Sequence, residues 1–158
     1  MPICNPADLV RSLAPATRLM GLDIGTKTIG LAISDVSLTI ASPIRTLKRA
    51  RRFHENAAAL DTVIEERNVG GLVLGLPVNM DGTEGPRCQS VRQFAENLLQ
   101  HRDMPLAFWD ERWSTVAVTR TLLEADVSRR RRGELVDKMA AAYILQGFLD
   151  HLASVSAR

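Results

Sequence analysis

An amphipathic helix followed by a continuous aliphatic strand is the feature that most limits how this 158-residue chain can fold. From Phe53 to Arg67 apolar residues recur every three or four positions, which predicts one buried helical face, and Gly70 and Gly71 are expected to end the helix. Leu72–Leu76 is aliphatic throughout, as is typical of a strand buried on both faces. A helix between two strands predicts a right-handed crossover with parallel pairing, and therefore an α/β fold.

Three further strand signals precede that helix. We predict strands at Arg18–Ile24, Thr28–Asp35 and about Thr39–Thr46, paired as an antiparallel meander, with Pro43 marking the third as an edge strand. The glycines of Gly25–Gly30 are expected to form a tight β-turn and not a P-loop, because a strand follows and no Lys-Ser/Thr follows the second glycine.

The second half of the chain alternates helices with one more strand. Val78–Pro86 is rich in turn residues and is expected to be a mobile loop. The remaining predicted elements are a helix at about Arg87–Gln100, a strand at Leu106–Asp110, a helix from Ser114 or Thr115 to about Glu124, a basic loop at Arg129–Arg132 and a last helix to about Leu152. This order describes a five-stranded mixed sheet with helices on both faces.

Length and composition limit the organisation of the chain and its partners. We expect a loose leader over residues 1–17, a single domain over 18–153 and a tail over 154–158. The leader lacks the apolar run of a signal peptide or membrane span, which favours a cytoplasmic protein without a membrane partner. The net charge of +2 permits a polyanionic partner, and 17 of the 20 basic residues are Arg, although a GC-rich genome gives the same bias.

Three carboxylates occupy positions where such a sheet is expected to carry a site. Ligands of open α/β sheets bind beyond the carboxyl ends of parallel strands; Asp23 closes the first strand, and Glu111 follows the last. Asp137 shares a helical stripe with apolar residues, so it is expected to face the sheet. Three converging acids repel one another unless cations intervene, and carboxylate oxygens suit Mg²⁺ or Mn²⁺. A pair of such ions serves phosphodiester hydrolysis.

Each acid also has an ordinary structural interpretation. Asp23 can be satisfied by the amides of the glycine turn, and Asp137 can be an acid that stabilises a helix N-terminus. Strand alternation leaves open whether Asp110 or Glu111 points inward, and Arg112 can neutralise either one.

Basic residues near these acids are candidates for substrate contact. Arg131 and Arg132 end a basic run just before the helix of Asp137, where they either grip phosphates or form a solvated charge run. Lys27 in the glycine turn and Arg112 beside Glu111 are further candidates.

Four ordered blocks of the sequence resemble the YqgF family, described as Holliday junction resolvases and as nucleases that mature the 5′ end of pre-16S ribosomal RNA. The likeness spans about Arg18–Leu149. The blocks are GLDIGTKTIG at 21–30, LGLPVNMDGTEG at 74–85, DERWST at 110–115 and VDKMAAAYILQ at 136–146. The resemblance implies a ribonuclease-H-like fold with strand order 3-2-1-4-5, in which strand 2 is antiparallel.

The same resemblance implies a metal-dependent endonuclease. Asp23, Glu111 and Asp137 match the catalytic and metal-binding positions, to be served by two Mg²⁺ or Mn²⁺ ions, and Asn79 and Arg87 are implied to touch substrate. The favoured partner is precursor ribosomal RNA, in precursor particles. Branched DNA is the alternative, and a homodimer would be needed to cut two strands symmetrically.

Two departures from the related pattern matter. Related resolvases often carry an acid at the end of the fourth strand, where this chain has Gly75-Leu76-Pro77, so Glu111 has to substitute from the neighbouring strand. Where family members often carry Lys before the final Asp, this chain has Gly133-Glu134-Leu135, so the basic grip falls to Arg131 and Arg132.

Two other classes of function are weighed beside the nuclease. In a non-catalytic ribosome assembly factor, the basic residues would matter and the acids would not. The turn Asp23–Thr26 is also similar to that of actin-like and sugar-kinase ATPases, which clamp ATP between two domains, whereas one domain is expected here.

Overall fold

The computed structural model describes residues 3–113 and 129–156, with 129–137 and 156 described as backbone only. The helix expected from Ser114 or Thr115 to Glu124 lies outside these residues. The elements are α1 Pro6–Arg11, β1 Arg18–Ile24, β2 Thr28–Ser34, β3 Ala41–Lys48, α2 Phe53–Glu66, β4 Val69–Leu76, α3 Pro86–His101, β5 Leu106–Asp110, a 3₁₀ turn Glu111–Trp113 and α4 Arg129–Ser156.

One five-stranded sheet organises the protein, in the order β3-β2-β1-β4-β5. β2 is antiparallel to both of its neighbours, whereas β1, β4 and β5 run parallel. The predicted strand order, the antiparallel second strand and the edge position of the strand carrying Pro43 are confirmed. We call the edge where β1, β4 and β5 end the carboxyl edge, and the opposite edge the amino edge.

The two faces of the sheet are covered differently. On one face, α2 and α3 pack large aliphatic and aromatic side chains against strand residues such as Leu22. On the other face, α4 lies directly on the strands. A methyl group built on Gly21 would be 2.8 Å from Leu145 Cβ and 2.9 Å from the Ala141 carbonyl oxygen, so helix and strand approach almost to backbone contact.

Helix α4 runs from the carboxyl edge toward the amino edge. Ala141 packs on the middle of β1, and five residues later Gln146 reaches the start of β3 at the amino edge. The Gln146 side chain accepts from the Ala41 amide at 2.9 Å and donates to the Thr39 carbonyl at 3.0 Å. The first turns of α4 therefore lie toward the carboxyl edge.

The amino-terminal segment departs from the loose leader that was expected. Its part from Ile3 to Thr17 contains α1, whose Leu9 is completely buried against the α4 side of the sheet. The Cys4 amide also donates to the Leu106 carbonyl at 2.8 Å, and Asn5 caps α1. The apolar side chain of Leu9 explains the docking, because burying it removes a large hydrocarbon surface from water.

Three element boundaries also correct the expectations. Helix α2 ends at Glu66, and Gly70 and Gly71 lie inside β4 instead of stopping the helix; Asn68, with φ of 53°, makes the turn between them. Arg129–Arg132 are the first residues of α4 and not a loop, and α4 continues to Ser156, past Leu152 and into the expected tail.

The third strand begins later in the sequence than predicted because of the β2–β3 turn. The Asp35 side chain accepts from the amides of Thr39 and Ile40, which forms a turn and delays β3 until Ala41.

No helix in the described residues combines the length and the apolar character needed to cross a bilayer.

Candidate active site

Asp23 is a buried acid at the carboxyl edge. It lies in β1 opposite Gly30 of β2, and it is 2% exposed. Side chains alternate along a strand, so Asp23 shares the α4 face of the sheet with Leu19 and Gly21. The amide of Gly25 donates to the Thr28 carbonyl at 2.9 Å, which closes the expected tight turn just after Asp23.

The structure distinguishes Glu111 from Asp110, which strand alternation alone left open. Trp109 belongs to the cluster under α4, and Phe108 packs with the cluster on the α2–α3 face, so Asp110 follows on that second face. Glu111 opens the 3₁₀ turn, and its carboxylate returns to the α4 face. Asp23 and Glu111 therefore share one face of one edge, and Asp110 does not.

Gly75 provides the space for the Glu111 carboxylate. A methyl group built on Gly75 would lie 2.8 Å from Glu111 Oε1 and would collide with Ile144 Cδ1. Gly75 pairs with Trp109 of β5, and its neighbour Leu74 pairs with Leu22 of β1, so it lies between the strands that carry the two acids. The space left by the absent side chain near the end of β4 is thus occupied by the Glu111 carboxylate, which comes from the turn after β5.

Asp110 is held in a local ion pair. Arg112 Nη2 donates to Asp110 Oδ2 at 2.7 Å, and the Arg112 amide donates to Oδ1 at 2.9 Å. Partial burial tends to raise the pKa of Asp110, but the hydrogen bonds from Arg112 outweigh it and hold that pKa below its usual value. Arg112, expected to touch substrate, already has its guanidinium on Asp110.

The third acid is described only as a position on a helix. The backbone of Asp137 lies in α4 one turn before Ala141, toward the carboxyl edge; its side chain is outside the described residues. The apolar residues of its predicted stripe, Ala140, Ala141, Ile144 and Phe148, are all buried in the cluster beneath α4.

The other predicted substrate residues are spread along the carboxyl edge. Lys27 is exposed in the β1–β2 turn, and Arg87 is exposed in the first turn of α3. Asn79 lies in the loop after β4, where its side chain donates to Thr83 Oγ1 at 3.0 Å and its amide to the Thr83 carbonyl at 2.9 Å. The side chains of Arg131 and Arg132 lie outside the described residues.

Arg49 supports the site although the sequence did not single it out. Its Nη1 donates to the Gly25 carbonyl at 2.7 Å, its Nη2 to Ser90 Oγ at 3.4 Å, and its guanidinium stacks over the Phe94 ring. It therefore ties the turn after Asp23 to α3. The visible signal was the cluster of basic residues between positions 45 and 52.

The donor set suits a hard divalent cation. Asp23 and Glu111 contribute carboxylate oxygens from one face, as Mg²⁺ and Mn²⁺ prefer. Among the side chains that the structure describes, which exclude that of Asp137, no three His, Cys, Asp or Glu residues lie close enough to hold a metal ion.

Comparison with known proteins identifies the family. A family model described as "RuvX: Holliday junction resolvase" matches residues 17–151. The chain is 66% identical over 151 residues to a protein of Paramagnetospirillum magneticum, covering 96% of this chain and 97% of the relative. It is 56% identical over 155 residues to a protein of Roseobacter denitrificans, covering 97% and 94%. Both relatives are named "Putative pre-16S rRNA nuclease".

Among solved structures, RuvC of Thermus thermophilus in complex with a Holliday junction substrate matches 87% of this chain and 97% of its own, with a TM-score of 0.54 and 11% identity. That likeness concerns the fold alone, and it confirms the ribonuclease-H-like architecture. The family match spans most of the chain and agrees with the four sequence blocks: this protein belongs to the RuvX family, also called YqgF.

Proposed function

We propose that this protein is a metal-dependent endonuclease that hydrolyses phosphodiesters in structured nucleic acid, with the 5′ end of precursor 16S ribosomal RNA as its substrate. The observation that carries the proposal is the pairing of Asp23 and Glu111 on one face of the carboxyl edge. The names of close relatives favour precursor ribosomal RNA over other substrates. We place the reaction in the cytoplasm, on precursor ribosomal particles.

The proposed roles follow from the position of each residue. Asp23, Glu111 and Asp137 are the acids assigned to hold divalent metal. A pair of Mg²⁺ or Mn²⁺ ions bound there supplies activation of water and stabilisation of the leaving oxygen. Gly75 leaves room for the Glu111 carboxylate, and Arg49 keeps the turn after Asp23 in place. Asp110 and Arg112 neutralise each other, which keeps Asp110 from competing for the cation.

Exchanging Asp23 for Asn tests the proposal, because it keeps the shape of the side chain and removes its charge. We expect Asp23→Asn to lower Mn²⁺-dependent cleavage of a 5′-extended 16S precursor fragment by about 10³-fold, as losing several kcal/mol of transition-state stabilisation requires. Asp137→Asn is expected to behave in the same way. The matched control is Asp110→Asn, which removes a neighbouring charge on the other face and is expected to retain metal-dependent cleavage.

The melting temperature of each variant shows whether the fold survives. Full activity of a folded Asp23→Asn protein would contradict the proposal. If the wild type binds RNA but never cleaves it in Mg²⁺ or Mn²⁺, the protein acts as a non-catalytic assembly factor.

Branched DNA is the second candidate substrate, because the matching family is described as a Holliday junction resolvase. Cleavage of a four-way DNA junction, measured beside the RNA, decides between the two. Symmetric cutting of a junction needs two active sites, so sedimentation of the junction complex should then show a homodimer on the DNA. Cleavage of the RNA alone would leave the ribosomal role.

A further inference from the structure

Four basic residues gather at the carboxyl edge beside the candidate active site. We call Lys27, Lys48, Arg51 and Arg52 the basic corner; Lys27 lies in the β1–β2 turn, and the other three follow from the end of β3 into α2. All four side chains are exposed. Of the four, only Lys27 was a candidate for substrate contact in the sequence, and the function proposed above assigns no role to any of them.

Strand pairing fixes how close the basic corner is to Asp23. Asp23 pairs with Gly30, Gly30 pairs with Thr46, and Lys48 lies two residues beyond Thr46. With strands about 4.8 Å apart and a rise of about 3.4 Å per residue, the Lys48 backbone lies about 12 Å from that of Asp23. At about 3.4 Å of duplex length per nucleotide of one strand, that distance corresponds to three or four nucleotides.

The backbone of the corner is held in place by buried polar contacts. Asn56 of α2 is 4% exposed; its side chain accepts from the Ala50 amide at 2.9 Å and donates to the Lys48 carbonyl at 3.2 Å. The Arg49 amide donates to the Lys27 carbonyl at 2.8 Å, which links the corner to the β1–β2 turn. The four charges are therefore presented on an ordered backbone, so less ordering entropy is lost on binding.

The charges of the corner are not neutralised within the part of the chain that the structure describes. There, Lys27, Lys48, Arg51 and Arg52 make no ion pair, whereas Arg92, Arg102 and Arg112 are paired with Glu84, Asp61 and Asp110. The nearby negative charge on α2 is Glu55 in its first turn. Like charges gathered without counter-charges create a local potential that attracts polyanions.

We propose that the basic corner binds the phosphate backbone of the nucleic-acid substrate a few nucleotides from the cut, so that it sets affinity and placement and takes no part in the chemistry. The proposal rests on the nuclease function above and adds a phosphate-binding surface to that site. Arg49 is not part of the surface, because its guanidinium is engaged with Gly25, Ser90 and Phe94.

Salt dependence of binding is the direct test, because each phosphate contact contributes about 0.9 to the slope of log affinity against log salt on a duplex. That slope is negative, and we expect Arg51→Ala/Arg52→Ala to reduce its magnitude by about 1.8. The probes are a fluorescent RNA hairpin and a four-way DNA junction, titrated in EDTA so that no cleavage occurs. A drop with one probe and not the other identifies which backbone the corner contacts.

Arg11→Ala/Arg67→Ala is the matched control, since it removes two exposed arginines from the amino edge. It should leave the slope unchanged, and equal slopes for the two double variants would overturn the proposal. Arg51→Ala/Arg52→Ala should raise the protein concentration that gives half-maximal cleavage, whereas Arg11→Ala/Arg67→Ala should leave that concentration unchanged.

The two proposals fail in different ways. Cleavage that depends on Asp23, with a salt slope that does not respond to Arg51 and Arg52, would refute the phosphate surface and keep the nuclease. The reverse result, a slope of reduced magnitude in a protein that never cleaves, would keep the surface and refute the nuclease.

Discussion

The two faces of the sheet are packed by opposite means. Under α2 and α3, large side chains from the helices and the strands together fill the space between them. Under α4 the strands carry glycine at Gly21 and Gly75, and at these two points no strand side chain separates the sheet from the helix. Asp23 and Glu111 lie on this second face. Close approach there lets the backbone, which is stiffer than side chains, define where the acids sit.

Neighbouring residues of β1 give the largest test of this contrast. Leu22→Ala empties space on the α2–α3 face and should cost about 2–5 kcal/mol of unfolding free energy. Gly21→Ala adds one methyl group against Leu145 Cβ and the Ala141 carbonyl, neither of which can swing aside, and should cost about 1–3 kcal/mol. Urea unfolding measures both. A neutral Gly21→Ala would show that α4 retreats from the sheet without cost, which would break the comparison.

Gly75→Ala should affect activity more than stability. The new methyl group meets Cδ1 and Cγ1 of Ile144 and Oε1 of Glu111, which are side-chain and not backbone atoms, so we expect a stability loss of about 1 kcal/mol. The Glu111 carboxylate has to move, and metal-dependent cleavage should fall about tenfold, equivalent to about 1.4 kcal/mol of transition-state stabilisation.

Gly71→Ala is the control for this variant. It lies on the same strand at the amino edge, and its methyl group would touch the ends of Leu9, Leu13 and Leu19, at 3.0–3.2 Å. A similar small change in stability with unchanged cleavage is expected. Equal losses of activity in both variants would mean that Gly75 acts through the fold and not through Glu111.

The smallest expected effect concerns the β2–β3 turn, in which the Thr39 carbonyl accepts a hydrogen bond from Gln146 of α4. Hydrogen bonds from the Thr39 side chain, with those from the amides of Ile40 and Thr39, lower the pKa of Asp35 to about 2. Because the folded pKa is below its usual 3.8, this stabilisation is present above pH 3.8 and is lost as the pH falls toward 2. Asp35→Asn should melt slightly below the wild type at pH 7 and together with it near pH 2. A constant difference in melting temperature would contradict this account.

Local sequence patterns predicted most of the sheet. The bounds of β1 and β5 agree with the structure, since hydrophobic runs between turn residues are set by the residues themselves. The strand order also agrees, but it was implied by the family resemblance and not by local patterns. The prediction that Gly70 ends helix α2 was wrong. Glycine is needed at this position because of a contact distant in sequence: a methyl group there would collide with the Thr17 side chain. The prediction of a basic loop at Arg129–Arg132 was wrong because a run of charged residues can equally begin a helix, and Arg has a high helix propensity.

The candidate site was predictable as a location and less so in its details. The position of Asp23 near the end of an apolar strand was enough to predict both this acid and the edge of the sheet where it lies. The choice of Glu111 over Asp110 depended on a 3₁₀ turn and the Arg112 ion pair, which strand alternation does not encode. Arg49 reaches Gly25 from 24 residues away, and only the folded backbone brings the two together.

The two hydrogen bonds of Gln146 have a consequence for the opposite end of the molecule. They lock α4 lengthwise, because sliding the helix by one turn would break both. Asp137 lies nine residues upstream, about 13.5 Å along the axis at 1.5 Å per residue. The number of helical residues between Gln146 and Asp137 therefore sets the position of Asp137. A single-residue deletion between them would rotate Asp137 by about 100° around the helix axis and move it closer to Gln146, although every residue around the acids stays the same.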